Sequence, residues 1–240
     1  MIEWRKNLLM PITYLITGAN RGIGLEMSRN VLLAGDRLMA LCRHLDQAIE
    51  LQTLIASSNG RGEVFQADVC DEKQLQDIAH RIEGAVDVVV CNAGVMSARG
   101  GIHDAENNAA SISNVLMTNI AGPFFTARAF LKQLKRSQDP KICIVSSLMG
   151  SQQHQGASAY FYRASKAGAN NLMVTLTHEL KAEGIAVASF HPGWVKTDMG
   201  GSHADISPTE SATGLLTQFR ALTLADSGSF LNYDGQPLPL

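Results

Sequence analysis

The chain has 240 residues, 45% of them hydrophobic, and a formal net charge of −2. That length suits one large domain or two small ones, and the charge excludes a whole-surface basic field for nucleic acid. No apolar run reaches the roughly 18 residues that a membrane span needs, so neither nucleic acid nor membrane is an expected partner.

Residues 1–10, "MIEWRKNLLM", carry two basic residues but no long apolar stretch and no small-residue cleavage site, a poor signal peptide. Met10 is a second candidate start, which would make residues 1–10 an extension. Then strand-like and helix-like segments alternate. "ITYLITG" (12–18) reads as a strand, and "GIGLEMSRNVLLAG" (22–35) as a helix stopped by Gly35. "RLMALCR" (37–43) is a second strand, followed by a polar helix over 45–58. "GEVFQADV" (62–69) is a third, before a helix capped by Asp71. "VDVVVCNAG" (86–94), "KICIVSS" (141–147) and "GIAVASFHPG" (184–193) are the next three, with long helical segments over 107–137 and 158–183. Ser207, with Glu210 three residues on, caps another helix, and "GSFLNYDG" (228–235) is a short last strand and turn.

The strands are near-continuous apolar runs, which implies burial on both faces and a parallel sheet covered by helices. The expected fold is therefore a doubly wound parallel α/β sheet, a Rossmann fold of about seven strands, in a single domain. Ligands of such sheets bind beyond the C-terminal ends of the strands. Cys42, Cys70, Cys91 and Cys143 have no ligand-like spacing and read as free thiols in a reducing cytoplasm. No histidine pair has metal-ligand spacing either, so no catalytic metal is expected.

The first strand runs into "TGANRGIG" (17–24). Gly18, Asn20, Arg21, Gly22, Ile23 and Gly24 form a turn whose backbone can approach a ligand. The helix behind them offers free N–H groups and a positive dipole end to a pyrophosphate. The second strand ends in Arg43, where NAD-selective folds place an acid. Arg43 and Arg21 suit a phosphate through their forked donors, so NADP(H) is the expected cofactor, ahead of NAD(H).

Tyr162 and Lys166, in "YRASK", stand one helical turn apart on one face. A phenol's ordinary pKa of about 10 is high for proton transfer near neutrality, and a nearby ammonium lowers it. The spacing alone leaves two readings open: an exposed helix with a snorkelling lysine, or a candidate proton donor with its tuning group. Tyr160 has no such partner, because the residue four positions on is Ala164.

"TGANRGIG", "ADV" (67–69), "NAG" (92–94), Asn119 in "MTNIAGPF", "IVSSLMGS", "YRASK" and "HPGWVKT" stand in an order that resembles the short-chain dehydrogenase/reductase family, in its compact single-domain branch. Within it, "RGIGLE", "HPGWVKTDMGG" and "NYDG" look like the C-factor and sniffer-like carbonyl reductases. The resemblance implies that Asn119, Ser147, Tyr162 and Lys166 are the catalytic four. It also implies that Asp68 and Val69 meet the adenine and that Asn92, Ala93 and Gly94 line the cofactor. Pro192, Gly193, Val195 and Thr197 would seat the nicotinamide. Tyr162 and Lys166 would touch cofactor as well, and Asn119 would hold a water linking Lys166 to solvent. Ser147 is preferred over Ser146 because "SLMG" matches the family's Ser-x-x-Gly.

Carbonyl reduction with a small ketone, aldehyde or alcohol as partner, in a homodimer or homotetramer, follows from the resemblance. Two readings stand beside it: a cofactor-binding regulator or C-factor-like signalling protein, and an epimerase or dehydratase, for which the C-terminal part is short. "SQQHQGAS" (151–158) is expected as a long loop at the site, and 197–208 as a flexible lid. His191 reads as structural, while His154 and His203 flank the site.

Overall fold

The computed structural model describes residues 11–240, so the expectations for residues 1–10 and Met10 lie outside the described residues. Seven strands form its centre: β1 (Thr13–Thr17), β2 (Arg37–Cys42), β3 (Gly62–Gln66), β4 (Val88–Cys91), β5 (Lys141–Val145), β6 (Ala186–His191) and β7 (Phe230–Asn232). They lie in the order β3-β2-β1-β4-β5-β6-β7, every pair parallel. The chain starts at the centre, winds outward to β3, then crosses back to β4. That reversal opens a crevice beyond the strand ends, where such folds take their ligands. Eight helices cover the sheet: α1 (Gly22–Leu33), α2 (Ile49–Ala56), α3 (Glu72–Arg81), α4 (Ala109–Leu116), α5 (Gly122–Ala129), α6 (Leu131–Leu134), α7 (Tyr160–Leu180) and α8 (Pro208–Ala221).

The unbroken apolar strands have the expected cause. Every residue of β1, β4 and β5 is buried, and successive side chains enter opposite cores. Tyr14 and Ile16 join Met27, Val31, Leu215 and Phe219, from α1 and α8, on one face. Leu15 joins Ile78, Phe130, Met173 and Leu176, under α3 and α7, on the other. Phe190 of β6 meets Phe219 of α8 edge to face at 4.8 Å. Each such buried ring contributes roughly 1.5–3 kcal/mol relative to exposure. Asp71 caps α3 by accepting from Gln74 N at 3.0 Å. Ser207 caps α8 from Glu210 N at 3.1 Å, with Pro208 in the first helical position.

Three segments differ from the sequence expectation. The helix expected over 107–137 is three helices, with a wider π-type turn at Met117–Ala121 between the first two. Pro123 is the reason: it has no N–H to give the carbonyl of Asn119, four residues back, so the α-helical ladder cannot run through. The helix expected over 45–58 starts only at Ile49, because Arg43, His44 and Gln47 turn toward the crevice. The glycine-rich segment expected as a flexible lid is a hydrogen-bonded loop. Val195 bridges to Ile206, Asp205 N and Ile206 N donate to Trp194 O (3.0 and 3.1 Å), and Trp194 Nε1 donates to Gly200 O (2.9 Å).

All four cysteines are unpaired, Cys42, Cys91 and Cys143 buried and Cys70 half-buried. No described helix is long and apolar enough to cross a membrane.

Candidate active site

A cleft of about 920 Å3 lies along the C-terminal edge of the sheet. The glycine turn after β1 forms one end of it. A Cβ at Gly24 would stand 2.2 Å from the Gly18 carbonyl oxygen, so no side chain is possible there. The turn is locked by its neighbour: Asn92 Nδ2 donates to the carbonyls of Thr17 (2.9 Å) and Gly18 (3.2 Å). Thr17 Oγ1 in turn accepts from Asn92 N and Ala93 N, both at 3.0 Å. The N-terminus of α1 has no side-chain cap, which leaves its first N–H groups and its dipole to a ligand. A bare glycine cradle at an uncapped helix start fits a pyrophosphate.

Gly18, Asn20, Arg21, Gly22, Ile23 and Gly24 all line this end, with Arg43 from the end of β2 and Asp68 and Val69 from the end of β3. Arg21 is exposed and pairs with Asp198 at 3.3 Å. Asp68 Oδ1 accepts from Cys70 N at 2.9 Å.

At the other end α7 brings Tyr162 and Lys166 to the cleft, both buried, at 8% and 5% exposure. The helix packs closely on the turn after β5. A Cβ at Gly150 would sit 2.7 Å from the Lys166 carbonyl carbon, which accounts for glycine in the Ser-x-x-Gly spacing. Lys166 Nζ lies 5.7 Å from the Tyr162 ring centroid and donates to Val145 O at 2.8 Å. Burial draws its amine down to about 8. Burial also pushes the Tyr162 phenol above its ordinary value, while a hydrogen bond with Ser147 and the Arg99 charge pull it the other way. Desolvation is the largest influence on the phenol, and the Lys166 amine is turned to Val145 O. Tyr160, the first residue of α7, is 45% exposed and outside the cleft wall.

Some expected residues stand behind the wall. Ser146, not Ser147, lines the cleft, and its hydroxyl donates to Lys166 O at 3.3 Å. Ser147 Oγ accepts from Met149 N at 3.1 Å. The Asn119 amide is fully engaged: Oδ1 accepts from Val95 N, and Nδ2 donates to Val95 O and Ser165 Oγ, all at 2.9 Å. Between this amide and Lys166 stands Gly94, in the cleft wall beside Asn92 and Ala93. Pro192 and Thr197 line the cleft, but Gly193 and Val195 are set back, Val195 in its bridge to Ile206. His191 is held neutral, its pKa lowered to about 4 by burial and then by His154, as suits a structural residue.

Sequence reading set Ser146 aside and did not single out Thr17, Met96, Arg99, Lys196 or Met199. Thr17 and Lys196 stand inside or beside motifs already quoted. Nothing in the local pattern marks Arg99, which reaches the wall only through the path of the loop after β4.

This geometry has close counterparts. The chain is 32% identical to the NADPH-bound carbonyl reductase from chicken fatty liver, with a TM-score of 0.88 over 97% of this chain and 100% of that one. It is 29% identical to carbonyl reductase Sniffer of D. melanogaster, with a TM-score of 0.89 over 96% and 100%. It is 34% identical to C-signal of Myxococcus xanthus, over 65% of this chain and 93% of that protein. The family model described as short chain dehydrogenase matches residues 13–206. With its parallel sheet, glycine turn and Tyr–Lys helix, the chain belongs to the short-chain dehydrogenase family of oxidoreductases.

Proposed function

We propose that the chain is an NADP(H)-dependent reductase of ketones or aldehydes, with Tyr162 as proton donor. The observation that carries this reading is the shared cleft. The glycine cradle and Arg43 line one end, and a buried Tyr162–Lys166 pair stands at the other. The bound dinucleotide supplies the hydride.

The chain's own residues do the rest. Arg43 faces the 2′-phosphate, and no acid stands at the end of β2 to select the 2′-hydroxyl instead. Arg21 joins it once it leaves Asp198. Asp68 and Val69 receive the adenine, and Asn92 holds the glycine turn in shape while Ala93 and Gly94 form the wall. Pro192 and Thr197 face the nicotinamide, with Gly193 and Val195 shaping their loop from behind.

Ser147 stands against the phenol and is the hydroxyl that holds the substrate oxygen, while the Ser146 hydroxyl is engaged with Lys166 O. A phenol that burial keeps protonated suits reduction, in which the carbonyl oxygen gains a proton. Lys166, 5.7 Å from the Tyr162 ring, is the next proton-bearing group behind it. Asn119 acts through its main-chain carbonyl, which Pro123 cannot pair, while its amide holds Val95 in place. The unpaired thiols suit a reducing compartment such as the cytoplasm.

The regulatory reading draws on the likeness to C-signal, but a binding protein has no use for a buried Tyr162 beside Lys166. NADPH consumption against a panel of aldehydes, ketones, diketones and quinones separates the two. Turnover is expected, and Tyr162→Phe should lose at least about 100-fold of it, the contribution of a positioned general acid, while still binding NADPH. Full activity in that variant would overturn the proton-donor assignment. Tight NADPH binding with no turnover on any compound would move the weight to regulation.

A further inference from the structure

Arg99 is a charged residue of the cleft wall that no motif accounts for. Its backbone is anchored to the catalytic helix. Gly100 N donates to Asp104 Oδ2 at 2.8 Å, and the Gly100 carbonyl accepts from Ala159 N at 3.2 Å, immediately before α7. From there the guanidinium crosses the mouth of the cleft and donates to Met199 O, in the loop after β6, at 2.6 Å. A guanidinium carries five N–H donors in a planar fork, so most remain available. Among the described residues no carboxylate forms an ion pair with it. Asp198, the acid beside Met199, is paired with Arg21.

Two further observations bear on its use. Arg99 is close enough to Tyr162 for its charge to act on the phenol, so it belongs to the chemical end of the cleft. The whole wall holds five cationic side chains (Arg21, Arg43, Arg99, Lys166, Lys196) against two carboxylates, Asp68 and Asp198, although the chain's net charge is −2. The phosphates of a dinucleotide answer Arg21 and Arg43 beside the glycine turn. Arg99 shares the wall with the apolar side chains Val95, Met96 and Met199.

We propose that Arg99 receives an acid group of the substrate, so that the favoured substrates are carbonyl compounds with an apolar body and a carboxylate. The inference rests on the reductase reading for the word substrate. The apolar body lies against Val95, Met96 and Met199, and the carboxylate meets the fork of Arg99, which binds a planar acid through two parallel N–H donors. A bound substrate also displaces water from this charge, which strengthens the contact.

The test compares 4-carboxybenzaldehyde with its methyl ester in the full chain with NADPH, for wild type, Arg99→Gln and Arg99→Lys. The readout is the acid-to-ester ratio of kcat/KM within each protein, so a change in the proton-transfer step common to both substrates cancels. The ratio should fall about tenfold in Arg99→Gln, the factor of a modest charge-assisted hydrogen bond. KM for the acid should carry that loss, and Arg99→Lys should fall between. An equal ratio in wild type and Arg99→Gln would overturn the proposal and leave Arg99 a latch on the Met199 loop. A second measurement is independent of turnover: calorimetric titration of 4-methylbenzoate into the NADPH-loaded proteins. Weaker binding to Arg99→Gln by about the same tenfold factor supports the proposal. Equal binding to both proteins, or none to wild type, overturns it. Loss of turnover on both aldehydes with that binding difference intact would sink the reductase reading alone.

Discussion

Lys166 is a buried amine with one protein hydrogen bond, to Val145 O, and that has a consequence for stability. Its pKa falls from 10.5 to about 8 because burial disfavours the charged form. Between those two values the unfolded chain binds the proton and the folded chain does not, so this residue adds stability as pH rises through that window. Below about 8 both states are protonated and the folded state bears the full burial penalty. In Lys166→Met that penalty is gone. The variant should therefore gain on wild type at pH 7, with the gain shrinking toward pH 10.5, by about 1.4 kcal/mol per pH unit at most. Urea unfolding of the cofactor-free proteins at both pH values checks this; a difference that does not change with pH would show that Lys166 is not desolvated.

The ends of the strands, rather than their middles, reach the cleft. β2 ends at Cys42 and delivers Arg43 directly to the cleft. Because β2 pairs with β1 residue by residue, the side chain after its last residue is held beside the glycine turn by the register of the sheet. Arg43→Asp should therefore exchange a phosphate partner for a hydroxyl partner without disturbing the fold. We expect the NADPH-to-NADH ratio of kcat/KM to drop by at least about tenfold, since charge-assisted hydrogen bonds carry roughly 1.5–3 kcal/mol. A ratio that stays put would mean that Arg43 is solvated in the complex and that NADP(H) is selected elsewhere. The π-type turn before α5 is the second element-scale device. It turns the Asn119 amide onto Val95, next to the glycine that separates it from Lys166.

At the scale of the whole molecule, the sheet is sealed on both faces by the two cores, and the cleft is the broad opening at its edge. Ligand binding there draws on β1, β2, β3, β4, β5, β6 and α7 at once. NADPH at 100 times its dissociation constant should stabilise the protein by about 2.7 kcal/mol, seen as a rise in Tm. NADH at the same concentration should give a smaller rise, and equal shifts would count against the assigned cofactor. Met117 and Phe124 remain 39% and 36% exposed around the π-type turn.

Much of this molecule was legible in its sequence. Burial on two faces leaves a direct trace, unbroken apolar strands, and β1, β4 and β5 carry it. Turn and cap chemistry is equally local: Asp71 and Ser207 cap where their spacing says they should. Tyr162 and Lys166 were legible because one helix holds both, and their separation follows from its pitch. Other features depend on residues far apart in the chain. Pro123 marks a break, but only folding shows that the Asn119 amide then reaches Val95 and Ser165. The phenol of Tyr162 is raised rather than lowered because desolvation is a property of the packed cleft, not of a spacing. Arg99 reaches Met199, 100 positions away in sequence, by the crossing of two loops at the sheet edge. Periodicity and capping are set by neighbours within a few residues, so sequence alone determined the elements, their order and the motif ends. Side-chain partnership and dielectric environment arise when distant strand ends converge, so only the tertiary structure decided them.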